Sequence, residues 1–220
     1  MRAVLMCQGE QSRMQDALGC PKHLVDIAGK PLLARTIALV DEMGFDPVIV
    51  APATEVWTKF AAEVGVQLFT QRIPGFTFVD ALKNTRHLWG ADTSWPSLVL
   101  NGDVLFSPEA LAALVYGLDD APLSFLARFA VNVLTGRDSE EIYGFAASAR
   151  GVGLLDVLLE GDEPKMSPYH TAENLWHMLH FFQDRREAAL VPVPWDDYTD
   201  DVDKPEDVEL LRKYVAPRLP

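Results

Sequence analysis

Basic residues suited to binding a phosphate follow the first short apolar run of the sequence. The run Ala3–Cys7 leads into a polar loop that contains Gly9 and Arg13 and continues to Lys22. A glycine after a strand lets the backbone approach a phosphate closely, and its amides can point at the anion. Arg13 and Lys22 add the cationic side chains that a triphosphate needs. The alternative is a surface loop with two ordinary basic residues, since the spacing matches neither a P-loop nor a dinucleotide-binding GxGxxG loop.

A possible metal ligand follows a second apolar run. Asn101-Gly102-Asp103 comes directly after Leu98–Leu100. A carboxylate at the carboxyl end of a strand projects into the crevice where α/β proteins bind their ligands, and it can hold Mg²⁺ there. Asn-Gly-Asp is equally typical of a simple turn. From the residues alone, both interpretations stay open.

A third candidate is an acidic run near the end of the chain. Ten acidic and three basic residues lie between Asp184 and Glu209, and the densest part contains Asp196, Asp197, Asp200, Asp201 and Asp203. Two carboxylates from different segments can hold one cation between them. The alternative is a solvated loop that also supplies the N-cap of the last helix.

Length and charge limit the classes of protein that these residues can serve. The chain has 220 residues, a formal net charge of −13 and 49% hydrophobic residues. This length predicts one domain over residues 1–220, with a core large enough to need no disulfides. The acidity argues against a nucleic-acid partner bound through a broad basic face, and against an anionic membrane surface. Two cysteines, no signal-peptide core and no membrane-spanning run favour a cytoplasmic protein.

The elements that must position the candidate residues alternate along the chain. Apolar runs predict strands at 3–7, 47–50, 66–69, 98–100, 123–129, 142–147 and 189–193. Helical spacing predicts helices that open at Gly29-Lys30-Pro31 and at Ser107-Pro108, and others at 56–64, 78–88, 172–182 and 205–214. Strands that alternate with helices predict βαβ units and a parallel sheet, with ligands at the carboxyl ends of the strands.

Five segments together resemble the signature of the nucleotidyltransferases that act on sugar-1-phosphates, phosphocholine and molybdopterin. Residues 3–14 (AVLMCQGEQSRM), 21–24 (PKHL) and 29–33 (GKPLL) are similar to the family pattern L-A-A-G-x-G-x-R-M, P-K-x-L, G-K-P-L. Residues 101–104 (NGDV) resemble the segment of the first metal aspartate. Residues 201–207 (DVDKPED) resemble the run before the last helix, where the second metal carboxylate lies.

The resemblance implies a fold and a set of site residues. The fold is a three-layer, Rossmann-like α/β fold of the glycosyltransferase-A type, with a mixed, mostly parallel sheet and helices on both faces. Residues 1–115 would form the nucleotide-binding part and residues 116–220 the acceptor-binding part. Arg13, Lys22, Asp103 and Asp203 would be catalytic, and Asp103 and Asp203 would hold Mg²⁺, with Mn²⁺ as the alternative. The implied nucleotide contacts are Gln8, Gly9, Glu10, Gln11, Ser12, Arg13, Lys22 and Asn101.

The resemblance also implies a reaction. A nucleoside monophosphate would pass from a nucleoside triphosphate (NTP) to a phosphorylated acceptor, such as a sugar-1-phosphate or a small alcohol phosphate, with release of pyrophosphate. The base, the acceptor and the oligomeric state stay open. One alternative is a glycosyltransferase that uses a nucleoside-diphosphate sugar, although residues 101–103 lack a paired Asp-x-Asp. The other is a non-catalytic nucleotide-binding regulatory module, which Gln11 in place of the family's second glycine would favour.

A histidine-rich face forms one further candidate. His170, Glu173, His177 and His180 recur at helical spacing. A zinc site needs such ligands on one side of a helix. The more common explanation is the solvated face of an amphipathic helix, and a third is that the face lines the acceptor pocket.

Overall fold

Strands and helices alternate along the chain, as the sequence predicts. They are seen in a computed structural model that describes residues 1–8, 18–70, 78–90, 94–137, 140–160 and 175–219. The strands in these ranges are β1 (Arg2–Met6), β2 (Asp26–Ile27), β3 (Lys30–Pro31), β4 (Asp46–Ala51), β5 (Gln67–Thr70), β6 (Ser97–Asn101), β7 (Val104–Leu105), β8 (Leu123–Arg128), β9 (Glu141–Ala147), β10 (Ala188–Pro192) and β11 (Asp200–Asp201). The α-helices in the same ranges are α1 (Leu32–Glu42), α2 (Glu55–Val64), α3 (Phe78–Trp89), α4 (Pro108–Tyr116), α5 (Ala149–Glu160), α6 (Leu175–Gln183) and α7 (Pro205–Leu210).

The central sheet is mixed and mostly parallel, which confirms the predicted fold class. In the described part of the chain it has seven strands in the order β10-β8-β9-β6-β1-β4-β5. β1 pairs in parallel with β4 and β6, and β10 pairs in parallel with β8. β9 runs antiparallel to both of its neighbours, β6 and β8. The carboxyl ends of β1, β6 and β8 and the start of β9 therefore meet at one edge of the sheet.

Helices cover both faces of this sheet, so the molecule has three layers. Ala3, Leu5 and Cys7 of the first strand segment pack with residues of α1, α2 and α4 on one face. Val4 and Met6 point the other way and pack with α3, α5 and α6. Side chains alternate across a strand, so a strand that is apolar at every position is buried on both faces. Among the described residues, no helix is both long enough and apolar enough to cross a bilayer.

Local signals fix some helix ends and shift others. Ser107 caps α4, because its Oγ accepts a hydrogen bond of 3.0 Å from the amide of Ala110, and Pro108 follows at the first helical position, as predicted. α1 begins at Leu32, one residue later than predicted, because Lys30 and Pro31 pair with β2 in a small hairpin. Helix α5 was not predicted: its sequence contains two glycines, Gly151 and Gly153, which favour a loop over a helix.

A third apolar cluster lies beside the central sheet and joins the two ends of the chain. It contains Val25, Ile27, Leu32, Leu105, Val202, Val208, Leu211 and Val215. The last of these belong to α7 and to the π-helical turn Leu211–Val215 that continues it. Val25, Leu105 and Val202 of this cluster lie within three residues of Lys22, Asp103 and Asp203, respectively. Burying this cluster therefore holds the three candidate segments together.

Candidate active site

Two of the candidate segments meet because their strands are neighbours. β1 and β6 pair in parallel with Met6 opposite Asn101. Gln8 and Asp103 follow these two positions, so both lie at the carboxyl edge of the sheet. The amide of Gly102 donates a hydrogen bond of 2.9 Å to the carbonyl of Met6 and ties the turn to β1. This is the edge where α/β sheets bind ligands.

A two-residue ladder brings the acidic run to the same place. β11 pairs antiparallel with β7, with Asp201 opposite Val104. The amide of Val202 then donates a hydrogen bond of 3.0 Å to the carbonyl of Asp103. Asp203 follows directly, so the backbone pairing sets Asp103 and Asp203 side by side, although a hundred residues separate them.

Lys22 lies between these two carboxylates. It opens a short 3₁₀-helix, Lys22–Leu24, whose neighbour Val25 belongs to the third apolar cluster. Its Nζ is 2.5 Å from Oδ2 of Asp103 and 3.0 Å from Oδ1 of Asp203. Lys22 and Asp103 are largely buried, whereas the side chain of Asp203 is 49% exposed. The structure thus brings together three of the four residues predicted to be catalytic.

Lys22 and the two carboxylates beside it carry opposite charges that attract each other. Burial lowers the pKa of Lys22, but Asp103 and Asp203 outweigh this and hold the pKa above its ordinary value. Burial raises the pKa of Asp203, but Lys22, with help from Asp201 and Arg137, outweighs this and keeps the pKa below its usual range. Around neutral pH, the ammonium and the Asp203 carboxylate therefore both stay charged.

Further charged residues surround this centre and were not predicted. Burial, followed by the charges of Asp203 and Asp103, raises the pKa of Glu141 at the start of β9. Arg137 contacts three carboxylates of the acidic run, Asp200, Asp201 and Asp207. No motif marks Arg137 in the sequence; the acidic run indicates only that some cation must balance its buried carboxylates.

Close packing beneath Asp103, the candidate metal ligand, explains why residue 102 is a glycine. A Cβ there would overlap the Sγ of Cys7 and would lie 3.1 Å from both the His23 ring and the Met6 carbonyl. His23 is buried and meets the Trp57 ring edge-on at a centroid distance of 5.4 Å. Burial lowers the pKa of His23 to about 4, although Asp103 acts in the opposite direction. His23 is therefore a neutral packing residue at physiological pH.

The other predicted site residues fall into two groups. Asn101 lies at the end of β6 and donates a hydrogen bond of 3.1 Å from Nδ2 to the Ile142 carbonyl, and Gln8 lies partly exposed beyond β1. The predicted nucleotide contacts Gly9, Glu10, Gln11, Ser12 and Arg13 lie outside the described residues. So do His170, Glu173 and the side chain of His177, whereas His180 is exposed on α6.

The residues present fit a divalent cation of the Mg²⁺ type. Two carboxylates from different segments converge on one point, which the ammonium of Lys22 marks as a place where a cation is stable. Mg²⁺ is commonly bound by one or two carboxylates and keeps several waters, so the half-exposed Asp203 suits it. Over the described ranges, no group of three or more His, Cys, Asp or Glu forms a site with more protein ligands.

Comparison with known proteins agrees with this fold and shows the family. The model of the MobA-like NTP transferase domain matches residues 3–199. The bifunctional protein GlmU of Rhizorhabdus wittichii is 31% identical over 163 residues, which cover 72% of this chain and 34% of GlmU. The chain thus spans about a third of the length of this curated relative.

Solved structures share the fold at low sequence identity. A Bacillus anthracis protein assigned as a glucose-1-phosphate thymidylyltransferase superposes with a TM-score of 0.74 at 11% identity, covering 100% of this chain and 96% of its own. The inositol-1-phosphate CTP transferase of T. maritima superposes with a TM-score of 0.63 at 15% identity, and the match covers 97% of this chain and 95% of that one. The CMP:2-keto-3-deoxy-manno-octonic acid synthetase, solved with CTP, superposes with a TM-score of 0.68 at 17% identity, and the match covers 99% of each chain. The match over most of its length shows that this chain belongs to the MobA-like NTP transferase family.

Proposed function

We propose that the protein transfers a nucleoside monophosphate from an NTP to a phosphorylated small molecule and releases pyrophosphate. The acceptor is a sugar-1-phosphate or a small alcohol phosphate. The observation that carries this proposal is the convergence of Lys22, Asp103 and Asp203 at the carboxyl edge of the sheet. Membership of the NTP transferase family supports the reaction type.

The proposed reaction exchanges one phosphorus–oxygen bond for another. An oxygen of the acceptor phosphate attacks the α-phosphorus of the NTP in line and forms the new bond. The bond from that phosphorus to the oxygen bridging the β-phosphate breaks, and pyrophosphate leaves with the electron pair. The acceptor phosphate is already ionised near neutral pH, so the reaction needs no protein nucleophile and no general base.

The protein's part in this reaction is electrostatic. The Lys22 ammonium would exchange its ion pairs with Asp103 and Asp203 for contacts with the nucleotide. There it would stabilise charge on the α-phosphate and on the departing pyrophosphate. Arg13, which enters the proposal from the sequence alone, would share that role. Asp103 and Asp203 would hold Mg²⁺, or Mn²⁺ in its place, and the bound ion would neutralise charge on the reacting phosphates.

The proposed division of the chain follows the strand order. Residues 1–115 contribute β1, β4 and β6 and would bind the nucleotide. Residues 116–220 contribute β8, β9, β10 and Asp203 and would bind the acceptor. The two parts share the same sheet, so we propose one domain with a nucleotide side and an acceptor side.

A pyrophosphate-release screen tests the proposal. Each of the four NTPs is incubated with Mg²⁺ and with sugar-1-phosphates, phosphocholine and related phosphate monoesters, and controls omit the acceptor or contain a chelator. We expect acceptor-dependent pyrophosphate release for at least one pair, together with an equal amount of the coupled product. Binding of NTP without turnover over the whole panel would favour a regulatory module. In a parallel assay with a nucleoside-diphosphate sugar in place of the NTP, transfer of the sugar would favour a glycosyltransferase.

A further inference from the structure

We infer that Arg137 is a positioning residue that fixes the backbone presenting Asp203 to the metal and the nucleotide. The inference rests on the proposed function, which assigns Asp203 to that role. Arg137 lies in the segment between β8 and β9, far in sequence from the acidic run that it contacts. Its described ion pairs are with Asp200, Asp201 and Asp207 and not with Asp203, so its contacts reach Asp203 through neighbouring residues.

The guanidinium holds both sides of the turn that carries Asp203. On one side, Nη1 is 3.0 Å from Oδ1 of Asp200 and 3.1 Å from Oδ1 of Asp201, and it also donates to the Asp201 carbonyl. On the other side, Nε is 3.2 Å from Oδ1 of Asp207. One rigid planar group thus joins residues that precede and follow Asp203.

Asp207 passes this restraint to Asp203 itself. Its Oδ2 accepts hydrogen bonds from the amide of Asp203 at 3.0 Å and from the amide of Lys204 at 2.8 Å. Arg137 occupies the other oxygen of the same carboxylate. Two contacts, both to the carboxylate of Asp207, therefore link the guanidinium of Arg137 to the backbone amide of Asp203.

Asp200 anchors the segment of Arg137 in return. It is fully buried, and its Oδ2 accepts hydrogen bonds from Asn132 at 2.9 Å and from Thr135 at 3.0 Å. Its Oδ1 accepts one from the Tyr143 hydroxyl at 3.3 Å. These donors come from the segment before Arg137 and from β9, so both are fastened to β11, the strand that leads to Asp203.

The charges make Arg137 hard to replace. Oδ1 of Asp201 is buried, and within the described chain the guanidinium of Arg137, 3.1 Å away, is the cation beside it. Burial lowers the pKa of Arg137, but Asp201, Asp200 and Asp207 outweigh this and hold the pKa above its ordinary value. A lysine keeps the charge but lacks the planar fork that reaches three carboxylates at once.

The test compares Arg137→Met with Arg137→Lys, Asp203→Asn and a matched control, Arg86→Met. Arg86 pairs with Asp156 between helices α3 and α5 and has no part in the proposed site. The measurements are Mn²⁺ affinity by EPR titration, the kcat and NTP KM of pyrophosphate release, and Tm, with binding measured well below Tm. Removing residues that orient metal ligands costs on the order of 10- to 100-fold in metal affinity or activity.

We expect Arg137→Met to weaken Mn²⁺ binding and lower kcat by a factor in that range, with partial rescue in Arg137→Lys. Arg86→Met should lower Tm but leave Mn²⁺ affinity and kcat unchanged. If Arg137→Met fails to fold, Asp207→Asn removes charge from the link to Asp203 and should weaken Mn²⁺ binding in the same direction. Wild-type Mn²⁺ affinity in the folded Arg137 and Asp207 variants, with binding lost in Asp203→Asn, would overturn the inference alone. Wild-type binding and turnover in Asp203→Asn would overturn the proposed function as well.

Discussion

The ammonium nitrogen of Lys22 lies 2.5 Å from Oδ2 of Asp103, in a largely buried pair. Asp203 approaches the same nitrogen to 3.0 Å. A protein cation thus lies between the two carboxylates that we assign to Mg²⁺. Metal and nucleotide must therefore compete with, or redirect, this side chain when they bind.

Replacing Lys22 by methionine should have opposite effects on metal binding and on turnover. Without the ammonium, the carboxylates lose their counter-charge, so Mn²⁺ should bind the nucleotide-free protein more tightly in an EPR titration. Pyrophosphate release should fall by about 10²–10³-fold, the usual cost of losing one transition-state contact. Lys22→Arg, which keeps the charge, should retain the weaker Mn²⁺ binding of the wild type. Equal Mn²⁺ affinity in all three proteins would show that Lys22 does not compete with the metal.

Replacing Asp103 by asparagine should abolish most activity and leave the fold intact. The backbone carbonyl of Asp103, not its side chain, accepts the hydrogen bond from Val202 that joins the two segments. We therefore expect turnover to drop by about 10²–10³-fold. The lost ion pair with Lys22 should lower Tm, but the protein should still fold and unfold cooperatively. Asp196→Asn is the matched control, since Asp196 is an exposed member of the acidic run. Comparable turnover in the two variants would argue against Asp103 as a metal ligand.

Stability should fall in mild acid because of His23. Its pKa is near 6.5 in an unfolded chain, and burial lowers it to about 4 in the folded protein. The unfolded chain therefore binds more protons between these values, so the stabilisation is complete above about pH 6.5 and is lost as the pH falls towards 4. The loss amounts to about 3 kcal/mol for a shift of this size.

Urea unfolding of His23→Gln at several pH values measures this effect against the wild type. The variant should lose less stability between pH 6.5 and 4, because glutamine does not titrate. His180→Gln removes an exposed histidine and should follow the wild type. Parallel pH dependence in His23→Gln and the wild type would show that His23 is not buried in its neutral form.

Gly102→Ala should destabilise the protein by about 1–3 kcal/mol through overpacking. The added methyl group would meet the Sγ of Cys7 directly below the turn that carries Asp103. Cys7→Ala in the same chain removes that sulfur and should restore part of the lost stability, as measured by urea unfolding. Additive losses in the double variant would mean that another neighbour, such as the Met6 carbonyl, sets the requirement for glycine.

The sequence predicted those parts of the fold that local patterns encode. The runs that became β1, β4 and β6 are apolar at nearly every position, and Ser107-Pro108 is a local helix start, so each was found within a residue or two. Helix α5 was missed because its two glycines have low helix propensity, whereas the helix is stabilised by packing against the sheet. Tertiary contacts override weak local propensity at such positions.

In the candidate site, the sequence predicted only the residues that lie in recognisable motifs. Lys22, Asp103 and Asp203 were named from segments that resemble a family signature, and the structure brings them together. The ladder between β7 and β11 has two residues per strand, too few to leave a pattern in the sequence. Arg137 carries no motif at all: its importance appears only when Asp200, Asp201 and Asp207 are seen around it.

The most direct test of the central claim is pyrophosphate release by the wild type and Asp203→Asn, measured side by side with the NTP and acceptor pair found in the screen. We expect Mg²⁺-dependent and acceptor-dependent release by the wild type, and release about 10²–10³-fold slower from Asp203→Asn with an unchanged thermal unfolding curve. Equal rates for the two proteins, or NTP binding by the wild type without pyrophosphate release over the whole panel, would contradict a nucleotidyltransferase centred on Lys22, Asp103 and Asp203.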